Sequence, residues 1–167
     1  MNEGKRFEQN FSKSIPPEMY YLRIKDSSSS YAHSEGSRFT LDNPYDFLIY
    51  YGGKLFPMEL KSTKSSSFSI QIENEQGKNI KAHQIMALSS AGKIDGVIPG
   101  FVLDFRRGNT YWLHVDKLKN FLKTNSKKSI NENDVVKYGG VLIDKKLLKV
   151  NYRYDILNLI KFIMEKY

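Results

Sequence analysis

Apolar positions along the chain follow two rhythms, and their order predicts an α/β protein. Gly4, Phe7, Phe11 and Ile15 are spaced for one face of an amphipathic helix over Glu3–Ser14, which Pro16-Pro17 ends. A strand is expected at Tyr20–Ile24. Asp26–Thr40 is serine-rich and without apolar periodicity, so an excursion is expected at 26–40. From Pro44 to Lys61 the chain turns aromatic and aliphatic, split by Gly52-Gly53, the signal of a two-residue hairpin.

After a second serine-rich loop, Ile80–Ala91 reads as a helix with Asn79 as its cap and Gly92 as its stop. Ile98–Phe105 and Thr110–Val115 read as strands around Arg106-Arg107-Gly108-Asn109, completing a central mixed β-sheet that helices flank. Asp116–Lys123 and Asn131–Val136 are short helices. The run Tyr154–Tyr167 is apolar nearly all round, so it is either deeply packed or shared with a second subunit.

A chain of 167 residues, 40% hydrophobic and 26% charged, suits one globular domain spanning 1–167. The 26 basic against 18 acidic residues give a net charge of +8, a field that attracts polyanions, nucleic acid foremost. A lysine-rich surface gives the same excess, so charge needs a site beside it. With no cysteine, disulfides, thiolate metal sites and cysteine nucleophiles are excluded. Met1–Asn10 lacks the apolar core of a signal peptide and no stretch reaches membrane-spanning length, so no membrane association and a cytoplasmic location are expected.

The hairpin carries the chemistry. With Gly52-Gly53 as the turn, Tyr51 faces Lys54 and, counting outward, Asp46 faces Glu59 in a non-hydrogen-bonded pair, whose Cα atoms lie about 4.5 Å apart. A bulge would shift that pairing by one. Opposed carboxylates destabilise a hairpin unless a positive charge compensates, and a hard divalent cation with oxygen ligands serves. Lys61 shares the face of Glu59. Asp46, Glu59 and a backbone carbonyl, that of Leu60, form a metal-ligand set suited to phosphodiester hydrolysis, with Lys61 beside it. A coincidental acidic and basic edge is the alternative. Against it, Phe47, Ile49, Phe56, Met58 and Leu60 on one face and Leu48, Tyr50 and Leu55 on the other leave neither side freely solvated.

Asn43-Pro44-Tyr45-Asp46 followed by Glu59-Leu60-Lys61 resembles the aspartate and Glu-x-Lys elements of the RecU-type Holliday-junction resolvases of low-GC Gram-positive bacteria and their phages. Gly4–Glu8, His83-Gln84, the Ile98–Phe105 strand, Lys128-Ser129-Ile130 and the closing Tyr154–Tyr167 helix extend the resemblance over nearly the whole chain. It implies a restriction-endonuclease-like PD-(D/E)xK core, a homodimer, and paired Mg2+-dependent nicks in a four-way DNA junction, with Mn2+ as a substitute and recombination proteins as partners. Asp46 and Glu59 match the family's metal ligands, Lys61 its catalytic lysine, Gln84 its active-site glutamine and Glu8 its first-helix acid. In cellular members the segment before the catalytic aspartate forms a projecting stalk, whereas here it is serine-rich.

Gln84 lies on the helical row Ile80, Gln84, Leu88 and so points toward the sheet, where a core amide bonded to backbone is the ordinary alternative. His83, one step round, faces phosphate or solvent. Lys5, Arg6, Arg23, Arg38, Thr63, Lys64 and Lys81 are candidate DNA contacts, any of which could equally be a solvated surface group. Trp112 and Phe105 read as core. Two competing readings share these features: a nuclease with a flap, end or duplex target, and a non-cleaving DNA-binding recombination accessory protein.

Overall fold

The structure, a computed structural model, describes residues 2–24, 43–72 and 77–167. Arg38 and the 26–40 excursion lie outside them. In chain order the elements are α1 (Glu3–Ser12), β1 (Tyr20–Arg23), β2 (Phe47–Tyr51), β3 (Lys54–Thr63), β4 (Ser67–Ser69), α2 (Ala82–Ala91), β5 (Gly100–Phe105), β6 (Thr110–His114), α3 (Val115–Thr124), β7 (Ser129–Asn131), α4 (Glu132–Lys137), β8 (Val141–Leu142), β9 (Lys145–Leu147), β10 (Tyr152–Tyr154) and α5 (Ile156–Lys166).

Six strands form the central sheet in the order β1-β2-β3-β5-β6-β8. Among the described strands only β3–β5 is a parallel pair, and the chain crosses between those strands through β4 and α2. The mixed sheet predicted from the alternating pattern is therefore present. Phe47, Ile49, Phe56, Met58, Val102 and Trp112 meet Phe7 and Phe11 of α1 and Leu159, Ile160 and Ile163 of α5 in one core. Phe101, Leu103, Phe105 and Leu113 meet Leu88 of α2 and Leu118 and Phe121 of α3 in the other. Each helix contributes one apolar stripe, and the sheet is covered on both faces.

The β2–β3 turn is the one expected. Gly52 and Gly53 have φ of 56° and 78°, the left-handed conformation that a two-residue hairpin turn requires at both positions. At Gly52 a Cβ would also stand 2.6 Å from Met164 Cε of α5. Gly100 serves packing instead: a Cβ there would lie 2.4 Å from the Trp112 indole.

Four expectations need correction. Helix α2 begins at Ala82, because Ile80 bridges to Ile70 and the Asn79 side chain accepts from the Ser69 N–H at 2.9 Å instead of capping the helix. The serine-rich stretch after β3 contains β4, which pairs with β7 in a separate two-stranded sheet. Tyr154 ends β10, so the last helix starts only at Ile156. Finally, the second face of the hairpin is partly solvated, with Tyr50 exposed. No described helix is long and apolar enough to cross a membrane.

Candidate active site

Glu59 and Lys61 pair in parallel register with Phe101 and Leu103, so they share the sheet face covered by α2 and α3. Lys61 Nζ lies 2.8 Å from Glu59 Oε1. The same carboxylate oxygen accepts from Gln84 Nε2. Gln84 is buried on the sheet-facing side of α2, and its Oε1 accepts from the Lys81 N–H at 3.0 Å. One amide thus closes the first turn of α2 and braces Glu59, answering both its donor and its acceptor needs.

Asp46 departs from the expected register. The ladder runs from Tyr51–Lys54 to Phe47–Met58 and stops there. The Asp46 N–H donates to the Met58 carbonyl at 3.1 Å, one residue short of Glu59, so the two acids are not a directly opposed pair. The slip turns the Asp46 carboxylate onto the backbone of β3, where Oδ2 accepts from the Leu60 N–H at 2.7 Å. N–H and C=O of one strand residue point to the same edge, so the Leu60 carbonyl opens on the side that Asp46 occupies.

Burial pushes the Glu59 carboxyl up to about 7, opposed by Lys61 and reinforced by the charges of Asp46 and then Glu8. The acids are therefore within electrostatic reach of one another. Among the described residues no group of three or more acidic or histidine side chains converges, so an ion held here would have two carboxylates, a carbonyl, and oxygens of water or substrate. Mg2+ binds in this manner, keeping several waters and relying on one or two carboxylates and phosphates. The donor set fits.

Glu8, whose charge reaches Glu59, forms an ion pair with Arg23, so two residues assigned separately from the sequence engage each other. Lys5, Lys64 and Lys81 are exposed, and Arg6 lies 3.5 Å from Glu3. Thr63 is buried, and its Oγ1 accepts from the Ser65 N–H at 3.1 Å. Sequence reasoning missed a second polar cluster on the opposite face, around Asp104, Thr110 and Lys145. Its signal was a lone acid in the otherwise apolar Gly100–Phe105 strand, which burial obliges to find partners.

The SPbeta prophage-derived uncharacterized protein YotM of Bacillus subtilis (strain 168) is 31% identical over 179 residues, spanning 99% of this chain and 88% of that protein. The 1.6 Å structure of Archaeoglobus fulgidus Hjc, a Holliday junction resolvase from an archaeal hyperthermophile, matches with a TM-score of 0.52 at 16% identity, over 83% of this chain and 95% of Hjc. That likeness is one of fold, the restriction-endonuclease-like core. The family model of RecU, Recombination protein U, matches residues 10–161, and the chain belongs to that family.

Proposed function

We propose that this protein is a divalent-metal-dependent endonuclease that resolves four-way DNA junctions in recombination and repair by paired nicks, acting as a homodimer in the cytoplasm. The observation that carries the reading is the convergence of Glu59, Lys61 and Gln84 on one sheet face, with Asp46 bound to the adjoining backbone. Family membership and the Hjc-like fold support the substrate class.

Asp46, Glu59 and the Leu60 carbonyl would hold the ion, Mg2+ or Mn2+. When bound, such an ion supplies Lewis-acid polarisation of the phosphate and activates a water. Lys61, carried two residues beyond Glu59 on β3, orients the attacking water or offsets charge developing on the phosphate oxygens. Gln84 fixes the Glu59 carboxylate so that its remaining oxygen stays available. Glu8 and Arg23 sit at the margin, where Arg23 keeps the Glu8 charge balanced.

The discriminating experiment compares Mg2+-dependent cleavage of a mobile four-way junction with that of linear duplex of equal length. Junction cleavage is expected to dominate, and Asp46→Asn is expected to lose at least ~10²-fold in rate while still binding junction. Equal rates on the two substrates would remove the junction assignment and leave a nuclease with another target. Binding by the wild type without cleavage in Mg2+ or Mn2+ would favour a non-cleaving accessory role.

A further inference from the structure

Ser62 follows Lys61 in β3 and, by strand alternation, faces the opposite side of the sheet. There its hydroxyl donates to Asp104 Oδ2 at 3.0 Å and accepts from Arg106 Nε at 2.9 Å. Asp104 Oδ1 accepts from Thr110 Oγ1 at 2.7 Å and from Lys145 Nζ at 3.3 Å. Lys145 also reaches Thr110 Oγ1 at 3.0 Å and the Gly108 carbonyl at 3.2 Å. With Asp104 only 7% exposed, this is a buried and well-bonded base. Arg106 emerges from it tethered through Nε and its backbone N–H, which donates to the Thr63 carbonyl at 3.1 Å. Among the described residues its two terminal guanidinium nitrogens have no partner.

A cavity of about 180 Å³ separates this base from α1. Across it stand Arg6, 3.5 Å from Glu3, and Asn10. Asn10 is 6% exposed, yet its carboxamide has no hydrogen-bond partner among the described residues. That carboxamide is open to the cavity, where water or a ligand can meet it. Of the charged groups lining the cavity, Asp104 is occupied by three donors and Glu3 lies against Arg6. What remains open is the Arg106 guanidinium fork, held in place, the Asn10 amide and the hydroxyls of Tyr152 and Tyr154. A planar fork matches the paired oxygens of a phosphate, and its rigid tether lowers the entropy lost on binding.

We propose that this cavity is a second DNA-backbone subsite in which Arg106 and Asn10 hold one phosphodiester group of the substrate, on the sheet face opposite Glu59. The proposal rests on the DNA-cleaving reading above. Strand β3 then carries DNA contacts on both faces, Lys61 on one and the Ser62-anchored Arg106 on the other, so the substrate is gripped at the end of the strand that bears the reactive groups.

The test is binding of a fluorescent four-way junction by the full chain in EDTA, where no cleavage occurs, over a series of salt concentrations. Arg106→Gln is expected to weaken binding roughly tenfold and to reduce the slope of log Kd against log salt by about 0.9, the signature of one lost phosphate contact. Arg106→Lys should restore the slope and recover only part of the affinity, and Asn10→Ala should weaken binding with the slope intact. Melting temperatures are measured alongside. An Arg106→Gln protein that binds with wild-type slope, whether or not its melting temperature falls, overturns the subsite. Wild-type protein that binds neither junction nor duplex removes the DNA-cleaving reading, and the subsite with it.

Discussion

On our nuclease reading, Glu59 concentrates the chemistry in one carboxyl group. Burial raises it to about 7, so in the folded metal-free protein it still holds a proton at pH values where an exposed glutamate is ionised. On that reading a divalent ion has to displace the proton. Metal affinity is therefore expected to fall about tenfold for each pH unit below 7 and to level off above it. Calorimetric titration of Mg2+ at pH 6 and pH 8 checks this, and equal affinities would mean that Glu59 is not a ligand. The meeting of Glu59 and Lys61 was legible in the sequence because strand alternation places residues two apart on one face. The exact placement of Asp46 was not, because its slip depends on a backbone bond to Met58 that the apolar pattern does not encode. Likewise the Glu8–Arg23 pair and the Asp104 network join residues from distant elements, and nothing near them in sequence announces the partner.

The elements that carry the site were legible where they are long and regular. Strands β2 and β3, with their paired glycines, follow from local rules, as do α3 and α5 apart from a shifted end. The misses are strands of two or three residues. Ser67–Ser69 reads as a loop because its apolar content is one phenylalanine, and it becomes a strand only through pairing with Ser129–Asn131 far along the chain. The start of α2 shifted for the same reason, since Ile80 is drawn into a bridge with Ile70. Gly100 tests how tightly these elements fit: its added Cβ would overlap the Trp112 ring across β5 and β6. Gly100→Ala is expected to destabilise the fold by about 1–3 kcal/mol through overpacking, read from the midpoint of urea unfolding. A wild-type midpoint would show that the indole has room to move.

Over the whole molecule, a charge of +8 and two polar sites on opposite faces of β3 suit a protein that surrounds part of a polyanion. The C-terminal run resolved into a helix with one side packed, by Ile156, Leu159, Ile160 and Ile163, while Phe162 remains 50% exposed. Nearby, Leu142 on the edge strand β8 is 51% exposed, and both residues line one groove. Our homodimer reading places the subunit interface there; Leu142→Glu with Phe162→Glu is expected to convert a dimer to a monomer in light scattering at micromolar concentration. A wild-type monomer would contradict it. The nuclease reading itself is tested most directly by anomalous scattering from crystals grown with Mn2+. A peak is expected between the carboxylates of Asp46 and Glu59, beside the Leu60 carbonyl; ordered Mn2+ bound elsewhere, with none at these two acids, would contradict the assignment.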